Sequence, residues 1–254
     1  MQATSAISAP AARSAAIAEL FAYEFVHDRT RVALPHPEIH VVARFGPAVP
    51  GGLDVHALGA REKVYRKHIR SGMRTVMARL RLGATEAVLG VPASALVDRI
   101  VALDDLWGDT ATRRLLDRLA SARSMVDATA VLGTAISERG ARASGPHVRL
   151  ALDAAHRLTH SSVNAVADDL GISERHLRRV FREAVGVSPK AYAKLTRFHR
   201  ALHAARGERP ASWAGIAAAA GYYDQAHLIA EFRAIAGVTP RALLGELRVA
   251  PLMS

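Results

Sequence analysis

Apolar and polar positions fall into two textures along this chain. Between Arg31 and Leu82 short β-branched runs alternate with Gly and Pro. Ile39–Phe45, Leu53–Leu58, Val64–Ile69 and Arg74–Leu82 read as strands, separated by Gly46-Pro47, Pro50-Gly51-Gly52, Gly59 and Ser71-Gly72. Such spacing predicts a small antiparallel sheet or partial barrel. The pattern over Ser14–Phe25 fits a short helix and a strand equally, and residues 1 to about 12, small and polar, are expected to fray. After Gly83 the strand signals stop. Ala84–Leu89 and Ala93–Arg99 read as short helices. Asp109–Ala122, with Leu115, Leu116 and Leu119 at helical spacing, and Val126–Arg139 read as longer ones. The stretch Arg139–Pro146 is small, basic and broken by Gly and Pro, as a linker would be, and places a domain boundary between residues 142 and 147.

Beyond the linker, helical periodicity is nearly continuous and the chain repeats itself. Leu170-Gly171-Ile172-Ser173 leads into an amphipathic run through Leu177, Val180 and Phe181 that stops at Gly186-Val187-Ser188-Pro189. The second copy starts at Ala220-Gly221-Tyr222-Tyr223-Asp224, passes Leu228 and Phe232, and stops at Gly237-Val238-Thr239-Pro240. Gly171 and Gly221 permit the positive φ that a sharp helix-to-helix turn demands. Ser173 and Asp224 are N-cap types, able to accept orphan backbone N–H groups. Val163, Val166, Ala167, Leu170, Ile172, Leu177, Val180 and Phe181 make one apolar face, the core expected of a helix-turn-helix. Between the copies, Pro189–Arg206 reads as one long helix carrying Ala191, Leu195, Phe198 and Leu202, about 25 Å long at 1.5 Å per residue. A spacer of that order suits two helices entering major grooves about 34 Å apart. The expected fold class is therefore α+β: a sheet with helices in the first half and an all-α second half of two helix-turn-helix units.

Charge sharpens the picture. Lys and Arg number 34 against 23 Asp and Glu, a formal net charge of +11 in 254 residues, which points to a polyanionic partner and to nucleic acid ahead of a membrane surface. Arg175, Arg178, Arg179 and Arg182 share the polar face of the first unit's second helix. A helix fits the major groove of double-stranded DNA, and Arg bonds bidentately to guanine O6 and N7. The second unit offers Gln225, Ala226, Ile229 and Ala230 at the matching face. Only Gln225 is polar there, so base reading through thymine methyl groups, phosphate register and a mainly structural role all stay open.

These motifs resemble the AraC/XylS family of bacterial transcription regulators. The likeness runs from about His147 to Leu247, over Val166–Ser173, Leu177-Arg178-Arg179-Val180-Phe181, Gly186–Pro189, Ile216–Tyr222, Asp224–Leu228, Glu231-Phe232 and Gly237–Pro240. The resemblance implies an AraC-type DNA-binding domain over 147–250, with base-reading positions at Arg175, Arg178 and Arg179 and at Gln225, Ala226, Ile229 and Ala230. Where this chain has Ile229 and Ala230 the family commonly has a polar residue and an Arg, which argues against strong direct readout by the second unit. Residues 1–142 resemble a reduced cupin-like sheet followed by helices, through Arg79–Ala84, Leu89–Ser94 and Leu103–Gly108. That likeness implies an effector-sensing or dimerisation domain, with a small-molecule effector, a homodimer and RNA polymerase as partners in an activator's role.

Other chemistry finds little support. Cysteine is absent, which removes disulfides, thiolate zinc sites and Cys nucleophiles, and with them repair methyl transfer, the enzymatic alternative on this fold. His27, His36, His40, His56 and His68 fall in or beside the sheet without diagnostic metal spacing, and Glu62 and Glu86 form no evident catalytic pair. Neither a phosphate-binding Gly loop nor a nucleophile–base–acid set can be assigned, so no enzymatic activity, cofactor or metal is expected. No apolar run approaches the roughly 18–20 residues of a membrane span, and Met1–Pro10 lacks a basic start before an apolar block, so a cytoplasmic, nucleoid-associated place is expected. Charge alone would also fit an architectural DNA binder, indifferent to sequence and steeply salt-dependent.

Overall fold

The computed structural model describes residues 7–9, 14–141, 145–207 and 212–249. Among the described residues eight strands form in the first half: β1 Ile7–Ala9, β2 Ile17–Phe25, β3 Arg29–Ala33, β4 His40–Phe45, β5 Leu53–Leu58, β6 Tyr65–Ile69, β7 Met73–Leu80 and β8 Ile100–Ala102. Six make an antiparallel sheet in the order β1-β2-β7-β4-β5-β8, while β3 and β6 pair separately as a two-stranded ribbon. The four strands expected from alternation are all present, and Ser14–Phe25 resolves as strand. Its burial explains the ambiguity: β2 is covered on both faces, so apolar residues occupy consecutive positions and the period of two is lost. Ile7–Ala9 forms a short edge strand within a stretch expected to fray.

The two sheet faces do different work. Ala22, Val41, Ala43, Val55, Ala57, Val76, Ala78 and Leu80 lie on one face and belong to the main core. Against it pack α1 Thr85–Leu89, α2 Leu103–Trp107, α3 Asp109–Ala120 and α4 Met125–Arg139. Residues 93–99, expected as a short helix, form only a 3-10 turn over Ala93–Leu96, the chain leaving helical angles at Val97. The opposite sheet face, through Phe21, Tyr23, Phe25, Val42 and Met77, packs with Ile69 of the ribbon into a smaller aromatic cluster.

Seven helices follow among the described residues: α5 Pro146–Arg157, α6 Val163–Asp169, α7 Glu174–Val185, α8 Pro189–Ala205, α9 Trp213–Ala220, α10 Gln225–Ala236 and α11 Pro240–Val249. Residues 142–144 of the expected linker lie outside the described residues, but the packing on either side is continuous. Leu132 and Ile136 of α4 share one core with Val166, Leu177 and Phe181. Gly186, at φ +98°, brings the end of α7 so close to the Ala93–Leu96 turn that an added Cβ would lie 3.2 Å from the Ala93 carbonyl oxygen.

The second half has a core of its own around Phe198, Ile216, Leu228, Phe232 and Leu243, joined by one residue of the ribbon, Val32. Arg66 of β6 reaches the same unit, its Nε donating to Glu246 at 2.8 Å and its Nη2 to Glu246 and to the Ala236 carbonyl at 3.0 and 3.1 Å. The Val64 N–H donates to the Ile235 carbonyl at 2.9 Å. Each helix-turn-helix unit is thus docked on a different layer of the first half.

Candidate nucleic-acid interface

Helices α6 and α7 enclose the first turn and α9 and α10 the second. Gly171 and Gly221 adopt φ of +65° and +85°, as the turn requires. Ser173 Oγ accepts from His176 N–H at 3.2 Å and Asp224 Oδ1 from His227 N–H at 2.7 Å, so both expected caps are formed. Ser162, Ser188, Ser212 and Thr239 cap α6, α8, α9 and α11 in the same way. This repetition fixes where every helix of the domain from α6 onward begins, and hence which side chains point outward.

On α7, Leu177, Val180, Phe181 and Val185 are buried, while Arg175, Arg178, Arg179 and Arg182 are all exposed. Arg178 pairs with Glu174 and Arg179 with Glu183 at 3.4 Å, one turn away in each case. Exposed pairs of this kind contribute well under about 1 kcal/mol and release readily to a stronger partner. Arg175 and Arg182 form no ion pair among the described residues. The face therefore presents two free guanidinium groups and two that are lightly held.

On α10, Gln225, Ala226 and Ala230 are exposed, whereas Ile229 is half-buried and packs against the second core. Aligned on Leu177 with Leu228 and Phe181 with Phe232, the positions of Arg175, Arg178 and Arg179 are held by Ala226, Ile229 and Ala230. Only Arg182 has a basic counterpart, the exposed Arg233. Three further features escaped sequence reasoning. Tyr223, just before the cap of α10, is 93% exposed. Glu231 is buried where the first unit has Val180, and accepts from Arg197 Nη2 of α8 at 2.9 Å. Tyr222 lies against this pair, its hydroxyl held well above the usual phenol range by burial and by Glu231. A carboxylate in an apolar slot of the repeat was the signal that could have revealed the pair.

The histidines of the first half lie elsewhere. His36 stacks on His199 of α8 at 4.9 Å between ring centres, and the His199 ring nitrogen Nε2 lies 2.6 Å from the Pro35 carbonyl oxygen. Burial, helped by His199, His40 and Arg79, holds His36 down at about 2, and burial with Arg79 and Arg61 holds His40 at about 3. Both rings are neutral near pH 7. His27 and His68 are exposed, and His56 is buried near Asp54. Among the described residues no group of three or more His, Asp or Glu side chains is arranged to hold a metal ion.

Residues 166–246 match the family model of a helix-turn-helix domain, spanning both turns and both capped second helices. The chain carries a helix-turn-helix domain. The match lies wholly in the C-terminal part and spans about a third of the chain. Solved structures similar to this chain include ToxT from Vibrio cholerae, at 10% identity and a TM-score of 0.45 over 89% of this chain and 97% of that one. ToxT from Vibrio cholerae strain SCE256 with an unsaturated fatty acid bound matches at 10% identity and 0.43, over 94% and 98%. The AraC-like transcriptional activator CuxR matches at 15% identity and 0.23, over 72% and 73%. No curated protein matches this chain. No helix among the described residues is long and apolar enough to cross a membrane.

Proposed function

We propose that this chain is a sequence-specific transcription regulator whose first helix-turn-helix unit reads bases in the major groove and whose second sets register and reads little. The observation that carries this is the asymmetry of two equally well-built units: Arg175, Arg178, Arg179 and Arg182 stand exposed on α7, while α10 offers Gln225, Ala226 and a half-buried Ile229. Arg178 and Arg179 supply bidentate contacts to guanine and Arg182 and Arg233 supply phosphate contacts. Residues 147–250 form the DNA-binding part. Residues 1–142 form the part that senses an effector or brings two copies together, and RNA polymerase is the partner through which an activator would act. The role is regulatory rather than catalytic, and its place is the cytoplasm, at the nucleoid.

An effector has somewhere to go. A pocket with about 90 Å³ of accessible space opens between the sheet and the ribbon, lined by Leu34, Glu38, His40, Arg61, Lys67 and Met77 among others. Its mix of apolar walls with a few charged groups suits a small ligand. The test of the DNA reading is selection of bound duplexes from a random pool, with competitor DNA at near-physiological salt. A site sharply defined in one groove and looser about one turn away is expected. Absence of any enriched motif would leave an architectural binder instead.

A further inference from the structure

The two turns differ in length. Aligned on Gly171 with Gly221 and on Leu177 with Leu228, the first runs Gly171-Ile172-Ser173 and the second Gly221-Tyr222-Tyr223-Asp224. Both begin alike: the Ile172 and Tyr222 N–H groups donate to the Ala167 and Ala217 carbonyls at 3.0 and 2.9 Å. Both end alike, in the caps at Ser173 and Asp224 one helical turn before the buried Leu. Tyr223 is the residue that the second turn has in addition.

Nothing in the fold calls for an aromatic there. Tyr223 lies outside the positive-φ region, so the turn asks for no special residue. Its side chain makes no hydrogen bond or ring contact among the described residues. It is 93% exposed, against 60% for Val26, the next most exposed large apolar side chain described. Its backbone, in contrast, is held from both sides. Tyr222 before it is buried in the second core, its ring 5.3 Å from that of His227. Asp224 after it caps α10, and the Tyr223 N–H itself donates to His227 Nδ1 at 3.4 Å. One exposed apolar group on a surface is ordinary. A ring projected into solvent from a clamped turn, at the start of a second helix, is a preorganised contact. With two torsions and a fixed base, it gives up little entropy when a partner covers it.

We propose that Tyr223 is the second unit's hold on the backbone of double-stranded DNA, its ring lying along a deoxyribose and its hydroxyl donating to the adjoining phosphate. This rests on the DNA-binding reading above and names what fixes the register of a unit that has Ala226, Ile229 and Ala230 in place of arginines. The position selects the backbone over the bases. In a helix-turn-helix the first helix crosses the strand and the start of the second meets base edges, so the turn between them runs along the sugar–phosphate wall. The first unit can seat a phosphate at the start of α7, where the cap is the neutral Ser173. In the second, the Asp224 carboxylate already occupies the start of α10. A neutral donor carried outward on a ring supplies the contact that this helix start does not. Phosphate contacts from Tyr orient a protein on the duplex without reading its sequence.

Duplex binding by the full chain, measured over a range of salt, decides it, with Tyr223→Ala, Tyr223→Phe and Arg233→Ala beside the wild type. All three substitutions fall on exposed residues, so Tm should not move. Tyr223→Ala should weaken binding on the order of tenfold, equally on the selected duplex and on random duplex. Tyr223→Phe should lose most of that factor, because the bond to a charged oxygen goes with the hydroxyl. Neither should alter the salt dependence, since a neutral side chain displaces no counterion, whereas Arg233→Ala should reduce the slope by about one. Replacing single phosphates of the second half-site by uncharged methylphosphonates should remove most of the difference between wild type and Tyr223→Phe at one position and at no other. Unchanged affinity of Tyr223→Ala on every duplex would overturn the proposal and leave the ring to a protein partner. An altered base preference would overturn it in favour of base contact, and a Tyr223→Phe as tight as wild type would overturn the phosphate bond. Failure to select any motif would count against base reading by α7 alone, because a backbone contact is still measured on random duplex. A chain that bound no duplex at all would sink the DNA reading and the role of Tyr223 with it.

Discussion

The two helix-turn-helix units share everything that folding a turn requires and differ in what the turn presents. Both have a glycine at positive φ, a side-chain cap, a buried Leu and Phe at matching positions, and a terminating Gly before a helix-starting Pro. Their outward positions diverge: three arginines of α7 become Ala226, Ile229 and Ala230 on α10. Their anchorage diverges too. The first unit shares the main core with the sheet and α4, while the second has a separate core that meets the first half through the ribbon and the histidine contact at Pro35. Local stop and start chemistry is thus held constant by the physics of the turn, while recognition and docking are free to change independently.

Breaking each core should expose that difference in anchorage most strongly. Phe181 and Phe232 occupy equivalent positions at 0% and 1% exposure, and truncating either to Ala should cost about 3–5 kcal/mol. Hydrogen exchange should separate them. Phe181→Ala should raise exchange in α4 and the central strands as well as in α7, because one core serves all of them. Phe232→Ala should raise it mainly in α9–α11 and the ribbon. Equal spread from both substitutions would mean that the second unit is no more separable than the first.

Next in size is the ion pair that only the second unit has. Glu231→Val places the first unit's residue in the second unit's slot but strands Arg197, and should destabilise by about 2–3 kcal/mol in chemical unfolding. Adding Arg197→Met should recover most of that loss, since apolar side chains commonly replace a buried pair without penalty. Non-recovery would mean that Tyr222 and the pair act as one network that sets the angle between α8 and α10.

The legibility of the chain follows the same physics. The repeat was readable because Gly, cap and Pro act within a few residues of themselves, and the central strands β4, β5 and β7 because their alternation survives. Strand β3 was not readable: Arg-Thr-Arg-Val-Ala puts an arginine on a buried face, against the rule that buried positions are apolar. Strand β2 was ambiguous because both its faces are covered, and β8 is a three-residue edge strand with little pattern to detect. The arginines of α7 were legible as a face, but not which of them stand free of acidic neighbours. The linker composition was visible as well, yet composition says nothing about a core that continues on both sides of it.

The asymmetry of the proposed DNA-facing positions makes a prediction of comparable or smaller size. Arg178→Ala and Arg179→Ala should each lose about 1–3 kcal/mol of discrimination at particular base pairs, read as changed base preference in the selected site. Gln225→Ala should lose less than either. Uniform weakening on every duplex, with a salt slope reduced by about one, would place the two arginines on phosphates instead.

The caps sharpen the comparison at its finest grain. Ser173→Ala and Asp224→Ala each remove the acceptor for one backbone N–H at the start of a second helix, a loss of about 1 kcal/mol apiece by thermal unfolding. Their effects on binding should part. Arg175 and Arg178 begin within five residues of Ser173, so fraying the first turn of α7 displaces the groups proposed to read bases, and Ser173→Ala should lower both affinity and base preference. Fraying α10 displaces Gln225 and the exposed Tyr223, so Asp224→Ala should lower affinity while leaving the selected sequence unchanged. If instead Asp224→Ala altered the preferred sequence, the second unit would be reading bases through side chains other than the arginines it lacks.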